Sequence, residues 1–303
     1  EIFRNFLFIE LTKLDTLGRI YVAKEGINAQ ISLPSKNIDK LKSVIDDIYF
    51  LNNIRLNIAV EHDNESFLKL KIKIRDKIVA DGLSNSDYDL KKNGQHLNAK
   101  QFNKLLEDEK TITIDMRNHY ESEIGHFKGA ELPDVDTFRE SLPIINKKYK
   151  EHKVKKNILM YCTGGIRCEK ASAFLIKNGY KNVYQLEGGI IEYTRQIKKY
   201  NIENKFVGKN FVFDNRRAEK ISDQIISFCH QCGEKCDNHV NCNNEACHLL
   251  FLQCEICCKK YSGCCSSDCK EIYELPIEEQ KQLRKGKRNS NKIFKKGRFI
   301  QKV

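Results

Sequence analysis

Eleven of the chain's thirteen cysteines lie between Cys229 and Cys269. Cysteines at this density and spacing fit a structural metal site. It reads Cys229-x2-Cys232, Cys236, Cys242, Cys247-His248, Cys254-x2-Cys257-Cys258, Cys264-Cys265 and Cys269. Zinc takes four thiolates at about 2.3 Å, and CxxC knuckles deliver them in pairs. The spacing groups Cys229, Cys232, Cys254 and Cys257 as one set. A second, interleaved set is Cys242, Cys247, Cys264 or Cys265, and Cys269. The alternatives are disulfides, an iron–sulfur cluster or unligated thiols. Disulfides would require an oxidising compartment.

Charge is as unevenly spread as cysteine. The 303 residues carry a net charge of +12, yet residues 280–303 hold ten Lys/Arg and no acid. The remainder is nearly neutral. A basic tail of this kind either contacts RNA phosphates without reading sequence or is a solvated terminus. A composition 40% hydrophobic and 31% charged excludes a wholly disordered chain. No apolar run approaches the ~18 residues of a membrane span.

Hydrophobic periodicity divides the rest. Phe3, Phe6, Leu7 and Leu11 have helical spacing, followed by strand-like runs at Arg19–Ala23 and Ile27–Leu33. Ile38, Leu41, Ile45 and Ile48 predict a helix over 37–50, and Ile54–Val60 and Phe67–Ile74 alternate as strands. These elements predict a ferredoxin-like α+β domain over 1–92, its first strand lying before Glu1. Residues 81–97 are polar and read as a linker. From 93 to 203 the rhythm changes. Strands at Thr111–Ile114, Asn157–Tyr161 and Asn182–Leu186 alternate with helices at Thr137–Tyr149, Lys170–Asn178 and Ile190–Lys199. That is the pattern of a parallel α/β sheet, whose ligands bind at the strands' carboxyl ends. A hairpin-like Phe206–Phe213 and a short helix after Arg217 open a Cys-rich module over 204–279, and the basic tail follows.

Cys162 stands at one of those carboxyl ends, in Tyr161-Cys162-Thr163-Gly164-Gly165-Ile166-Arg167-Cys168-Glu169-Lys170-Ala171. A strand thus delivers a thiol into a Gly-rich turn that opens a helix. Backbone amides in such a turn point inward, the helix N-terminus adds partial positive charge, and Arg167 adds a full one. All three favour a thiolate at neutral pH. Cys168, in the first helical turn, reads either as a resolving thiol or as a small packing residue. Arg167 is five positions after Cys162, one fewer than cysteine phosphatases use to cradle a phosphate. The shorter cradle fits one extra sulfur or a small anion.

This loop resembles that of the rhodanese superfamily, as do Asp115-Met116-Arg117, Gly125-His126-Phe127-Lys128-Gly129-Ala130 and Leu186-Glu187-Gly188-Gly189-Ile190. The resemblance implies that Cys162 carries a persulfide. Asp115 and Arg117 then read as a buried ion pair shaping the active-site wall with Gly164, Gly165 and Cys168, and His126 as structural. With Gly18-Arg19-Ile20-Tyr21-Val22-Ala23-Lys24-Glu25-Gly26-Ile27-Asn28-Ala29-Gln30 and Phe211-Val212-Phe213-Asp214, the whole chain is similar to the bacterial tRNA uridine(34) hydroxylases. That resemblance implies oxygen-dependent 5-hydroxylation of the wobble uridine in a tRNA anticodon loop, with Cys162 essential and Arg167 assisting. Molecular oxygen is then the co-substrate, no organic cofactor is identifiable, and the expected location is the cytoplasm. A sulfurtransferase with a Cys162 persulfide and a non-enzymatic RNA-binding adaptor are the alternative readings.

Overall fold

The computed structural model describes residues 1–59 and 66–286. The first elements are α1 (Ile2–Lys13), β1 (Leu17–Ala23), β2 (Gly26–Ser32), α2 (Ile38–Asp46) and β3 (Leu70–Ile74). The three strands form a sheet of order β2-β1-β3, with β1 antiparallel to β2 and parallel to β3. Leu7 and Leu11 of α1, Ile20 of β1 and Leu41 of α2 close its core, which explains the helical and alternating periodicities of those segments. One expected strand does not form. Residues 54–59 are irregular, and Val60 lies outside the described residues. The segment lies against the loop after Cys162: Asn57 Nδ2 donates to Gly164 O (3.2 Å) and Arg55 pairs with Glu187 (3.2 Å). Its alternating side chains are therefore not turned into a sheet, and Ile54 and Ile58 stay exposed.

Next come β4 (Gln95–Leu97), α3 (Ala99–Leu106), β5 (Thr111–Asp115), α4 (His119–Ser122), β6 (Gly125–Phe127) and α5 (Phe138–Lys148). They are followed by β7 (Asn157–Tyr161), α6 (Ile166–Lys177), β8 (Val183–Leu186) and α7 (Gly189–Tyr200). Strands β4-β8-β7-β5, in that order, make an all-parallel sheet. One face packs Ile158 and Met160 on Phe138 and Leu142 of α5 and on Cys168 and Leu175 of α6. The other packs Leu159 and Tyr161 on Phe102 of α3 and Tyr193 of α7. Strands covered on both faces read as continuous apolar runs, as in Ile158–Tyr161. The expected linker at 81–97 is docked: Asp81 is buried, and β4 becomes the sheet's edge. A three-residue strand is too short to carry a periodicity.

The remaining elements are β9 (Phe206–Phe211), β10 (Ala218–Lys220), β11 (His239–Asn241), β12 (Leu250–Leu252), α8 (Glu255–Lys260), α9 (Ser267–Glu274) and α10 (Ile277–Arg284). Phe206–Phe213 is not a hairpin. Its strand β9 lies between β6 and β10, both antiparallel to it. The helix expected after Arg217 is instead β10, whose pairing with β9 outweighs the local preference of a charged segment. The basic tail begins inside α10, and residues 287–303 lie outside the described residues. Among the described residues no helix is long and apolar enough to cross a membrane.

Candidate active site

Strand β7 ends at Tyr161 and delivers Cys162 to the carboxyl edge of the parallel sheet, where it is only 1% exposed. Gly165, in the left-handed region at φ +98°, turns the chain sharply, so its N–H donates to Cys162 Sγ at 3.1 Å. Behind the loop, the amides opening α7 take its carbonyls: Ile190 N–H donates to Cys162 O (3.0 Å) and Ile191 N–H to Thr163 O (3.2 Å). That contact needs Gly189. Its φ is +65°, and a Cβ there would lie 2.4 Å from Cys162 O. With carbonyls turned towards α7, the loop is free to aim amides at the sulfur.

Burial alone would push the Cys162 thiol up. The neighbouring Cys168 thiol, the Arg167 charge and the Cys168 and Gly165 amides together hold it down at about 6. Cys168 moves the other way, pushed well up by burial and by the neighbouring thiolate. The two neighbouring thiols are thus pushed in opposite directions.

Arg167 does not stand alone in the cradle. Its Nη1 and Nη2 pair with Glu121 Oε1 and Oε2 at 2.5 and 2.7 Å, and Glu121 is fully buried. The positive charge expected from the loop is therefore held by a carboxylate from α4, and what reaches the sulfur is the field of an oriented pair. Sequence reading missed Glu121, which is 46 positions from Arg167. Its one signal was local: Asn118 and Glu121 form a capping box for α4.

Asp115 and Arg117 are a fully buried pair, Nη2 to Oδ2 at 2.7 Å and Nε to Oδ1 at 3.0 Å. Arg117 also donates to Gly125 O, which ties the end of β5 to β6. His126 Nδ1 meets Ser122 O at 2.9 Å. Gly164 receives Asn57 from the N-terminal layer, and Asn57 Oδ1 is buried with no hydrogen-bond partner among the described residues. A second link joins that layer to α6. Lys170, 1% exposed, pairs with Glu25 (2.5 Å) and Asp81 (3.1 Å) and donates to Tyr88 OH (2.8 Å). Glu25 sits in the β1–β2 turn, so the turn is anchored one helical turn past Arg167.

The cysteine run assembles two quartets, Cys229/Cys232/Cys254/Cys257 and Cys242/Cys247/Cys265/Cys269. Within each, the sulfurs all lie within 4.8 Å of one another. The Cys232–Cys254, Cys247–Cys265 and Cys265–Cys269 sulfur pairs are at 3.6, 3.6 and 3.7 Å. Four sulfurs about 2.3 Å from one tetrahedral centre would be about 3.8 Å apart, so each quartet could hold a metal ion. Amides support the sulfurs as ligand-orienting donors do: Cys254 N–H to Cys229 Sγ and Cys265 N–H to Cys242 Sγ, both 3.4 Å. None of the thirteen cysteines is in a disulfide. Cys236, Cys258 and Cys264 belong to neither quartet.

Family models match three stretches. They are a UPF0176 acylphosphatase-like domain over residues 2–78, a rhodanese-like domain over 98–196 and a rhodanase C-terminal domain over 207–270. The chain is thus a mixed α/β protein with an acylphosphatase-like N-terminal layer, a central rhodanese sheet and a Cys-rich C-terminal module. The tRNA uridine(34) hydroxylase of Photorhabdus laumondii is 53% identical over 297 residues, 98% of this chain and 84% of that relative. Proteins of the same name from Pectobacterium carotovorum and Leptospira interrogans are 53% and 52% identical. The matches cover 98% and 99% of this chain and 84% and 82% of those relatives. With likeness of this degree over nearly its whole length, the chain belongs to the tRNA uridine(34) hydroxylase family.

Proposed function

We propose that this chain hydroxylates C5 of the wobble uridine of tRNA, with molecular oxygen as co-substrate and the Cys162 thiolate as nucleophile. The observation that supports it most is the Cys162 sulfur itself, which accepts the Gly165 N–H at 3.1 Å and whose pKa is lowered by Cys168 and Arg167 despite full burial. C5 of uracil is a poor nucleophile until something adds to C6. Attack by the thiolate at C6 moves an electron pair into an enolate, and C5 then reacts with oxygen. Loop amides and the Arg167–Glu121 pair would stabilise the developing negative charge. The base is within reach because anticodon-loop nucleotides are already single-stranded. Zinc is the ion we assign to the two cysteine quartets, in a structural role at a distance from the reaction. We assign the protein to the cytoplasm, the compartment that suits both a reduced thiolate and a tRNA substrate.

The test is nucleoside mass spectrometry of tRNA from cells lacking the protein, complemented with the native chain or with Cys162→Ser. The native chain should restore 5-hydroxyuridine derivatives, and Cys162→Ser should not. Full hydroxylation by Cys162→Ser would overturn the reading. The rhodanese match over residues 98–196 favours one rival, transfer of a Cys162 persulfide sulfur. Under that rival the deletion would instead remove thiolated bases.

A further inference from the structure

Hydroxylation by molecular oxygen places one oxygen atom on the base and turns the other into water, which takes two electrons. A dithiol yields two electrons by closing a disulfide. Beside Cys162 the structure puts a second thiol. Cys168 opens α6, is fully buried, and packs with Cys162 in one core cluster, where the two thiols bear on each other's ionisation. These two are the only cysteines outside the C-terminal run. Packing alone would be served by alanine, as at Ala171 in the same cluster.

We propose that Cys162 and Cys168 are a redox pair that supplies the two electrons of the hydroxylation. This rests on the reading of Cys162 as the C6 nucleophile. The Cys162 thiolate adds to C6, and the enolate carbon C5 bonds to oxygen. The peroxide so formed takes a proton to become C5–O–OH. Cys168 sulfur attacks the outer oxygen and the O–O bond breaks. The thiol proton goes to the oxygen left on C5, and Cys168 becomes a sulfenic acid. Loss of the C5 proton expels Cys162 from C6 as a thiolate, releasing 5-hydroxyuridine. Cys162 then attacks the Cys168 sulfenic acid, forming the disulfide and hydroxide, which takes up the released proton as water. Uridine, oxygen and two thiols have become hydroxyuridine, a disulfide and water. An external dithiol reduces the pair for the next cycle.

The experiment uses the full chain, reduced and then freed of small thiols, mixed with an unmodified tRNA transcript in aerated buffer. One equivalent of 5-hydroxyuridine per chain should form, with a Cys162–Cys168 disulfide found by peptide mapping, and added dithiol should restore turnover. Cys168→Ala, which keeps the packing, should lose at least about tenfold in turnover with dithiol present. Its Cys162 should still alkylate, with the midpoint moved up by loss of the Cys168 thiol, so turnover is compared at a pH where Cys162 is ionised in both chains. Several equivalents of product without dithiol, product without the disulfide, or native turnover by Cys168→Ala would each overturn the redox pair. A Cys162→Ser variant separates the two readings. Activity in it defeats the nucleophile role, whereas inactivity beside an active Cys168→Ala defeats only the redox pair.

Discussion

At Cys162 two opposing effects set a pH window. Burial favours the neutral thiol, while the Cys168 thiol, the Arg167 field and two amides favour the thiolate and hold it at about 6. The reactive form is the deprotonated one, so activity should climb as pH rises through about 6 and be level by neutrality. The rate of Cys162 alkylation against pH checks this; a midpoint near the ordinary thiol value of about 8.5 would refute it. Glu121 sets how much of the Arg167 charge the sulfur feels. Glu121→Gln leaves a buried guanidinium without its counter-charge, at a cost of about 3–5 kcal/mol in chemical unfolding. It should also lower the alkylation midpoint further, since a less compensated cation favours the thiolate. The thiol was legible from the sequence because its supports are local, within six positions. Glu121 and Asn57 were not, because they reach the loop from 46 and 107 positions away.

Among the elements, the contact between the Cys162 loop and the start of α7 is the tightest tolerance. Gly189→Ala would put a methyl 2.4 Å from Cys162 O and 2.6 Å from Thr163 O, so the loop must move. Activity should fall by at least about a hundredfold, the scale for misplacing a reacting group by about 1 Å. Gly129→Ala is the control: its φ is +79° but nothing lies within 4 Å of the added carbon. It should cost only about 1–2 kcal/mol of backbone strain and keep the rate. Helices and buried strands were read well from periodicity, since α5, α6 and α7 each have one apolar face and β7 is apolar throughout. The misses share one cause. Strands β4 and β10 have three residues each, too few to show a period, and are fixed by pairing with distant β8 and nearby β9. Residues 54–59 have the alternation of a strand but end on the active-site loop.

For the whole molecule, Lys170 is the fastener between the N-terminal layer and the catalytic helix. Burial would raise the Glu25 and Asp81 carboxyls, but their bonds to Lys170 and Lys77 prevail and hold both below the usual range. Carboxylates so lowered give stability that is full above about 4 and is lost as pH falls through their folded values. Lys170→Met should cost about 3 kcal/mol at pH 7, because Glu25 loses its cation and Asp81 keeps only Lys77. The gap to the native chain should narrow on acidification, as urea unfolding at both pH values would reveal. A second expectation concerns metal. Purified protein should carry two zinc ions per chain, and a strong chelator should open residues 229–269 to protease while the parallel sheet stays protected. A metal-free chain with the same protection would contradict this. The order in which the quartets use the chain has a further effect, one of timing. Going from the N-terminus, Cys229 and Cys232 start one quartet, Cys242 and Cys247 start the other, Cys254 and Cys257 finish the first, and Cys265 and Cys269 finish the second. During synthesis each half-built quartet waits on a stretch that also belongs to the other. The C-terminal module therefore locks late and all at once, after the sheet that carries Cys162 has already emerged.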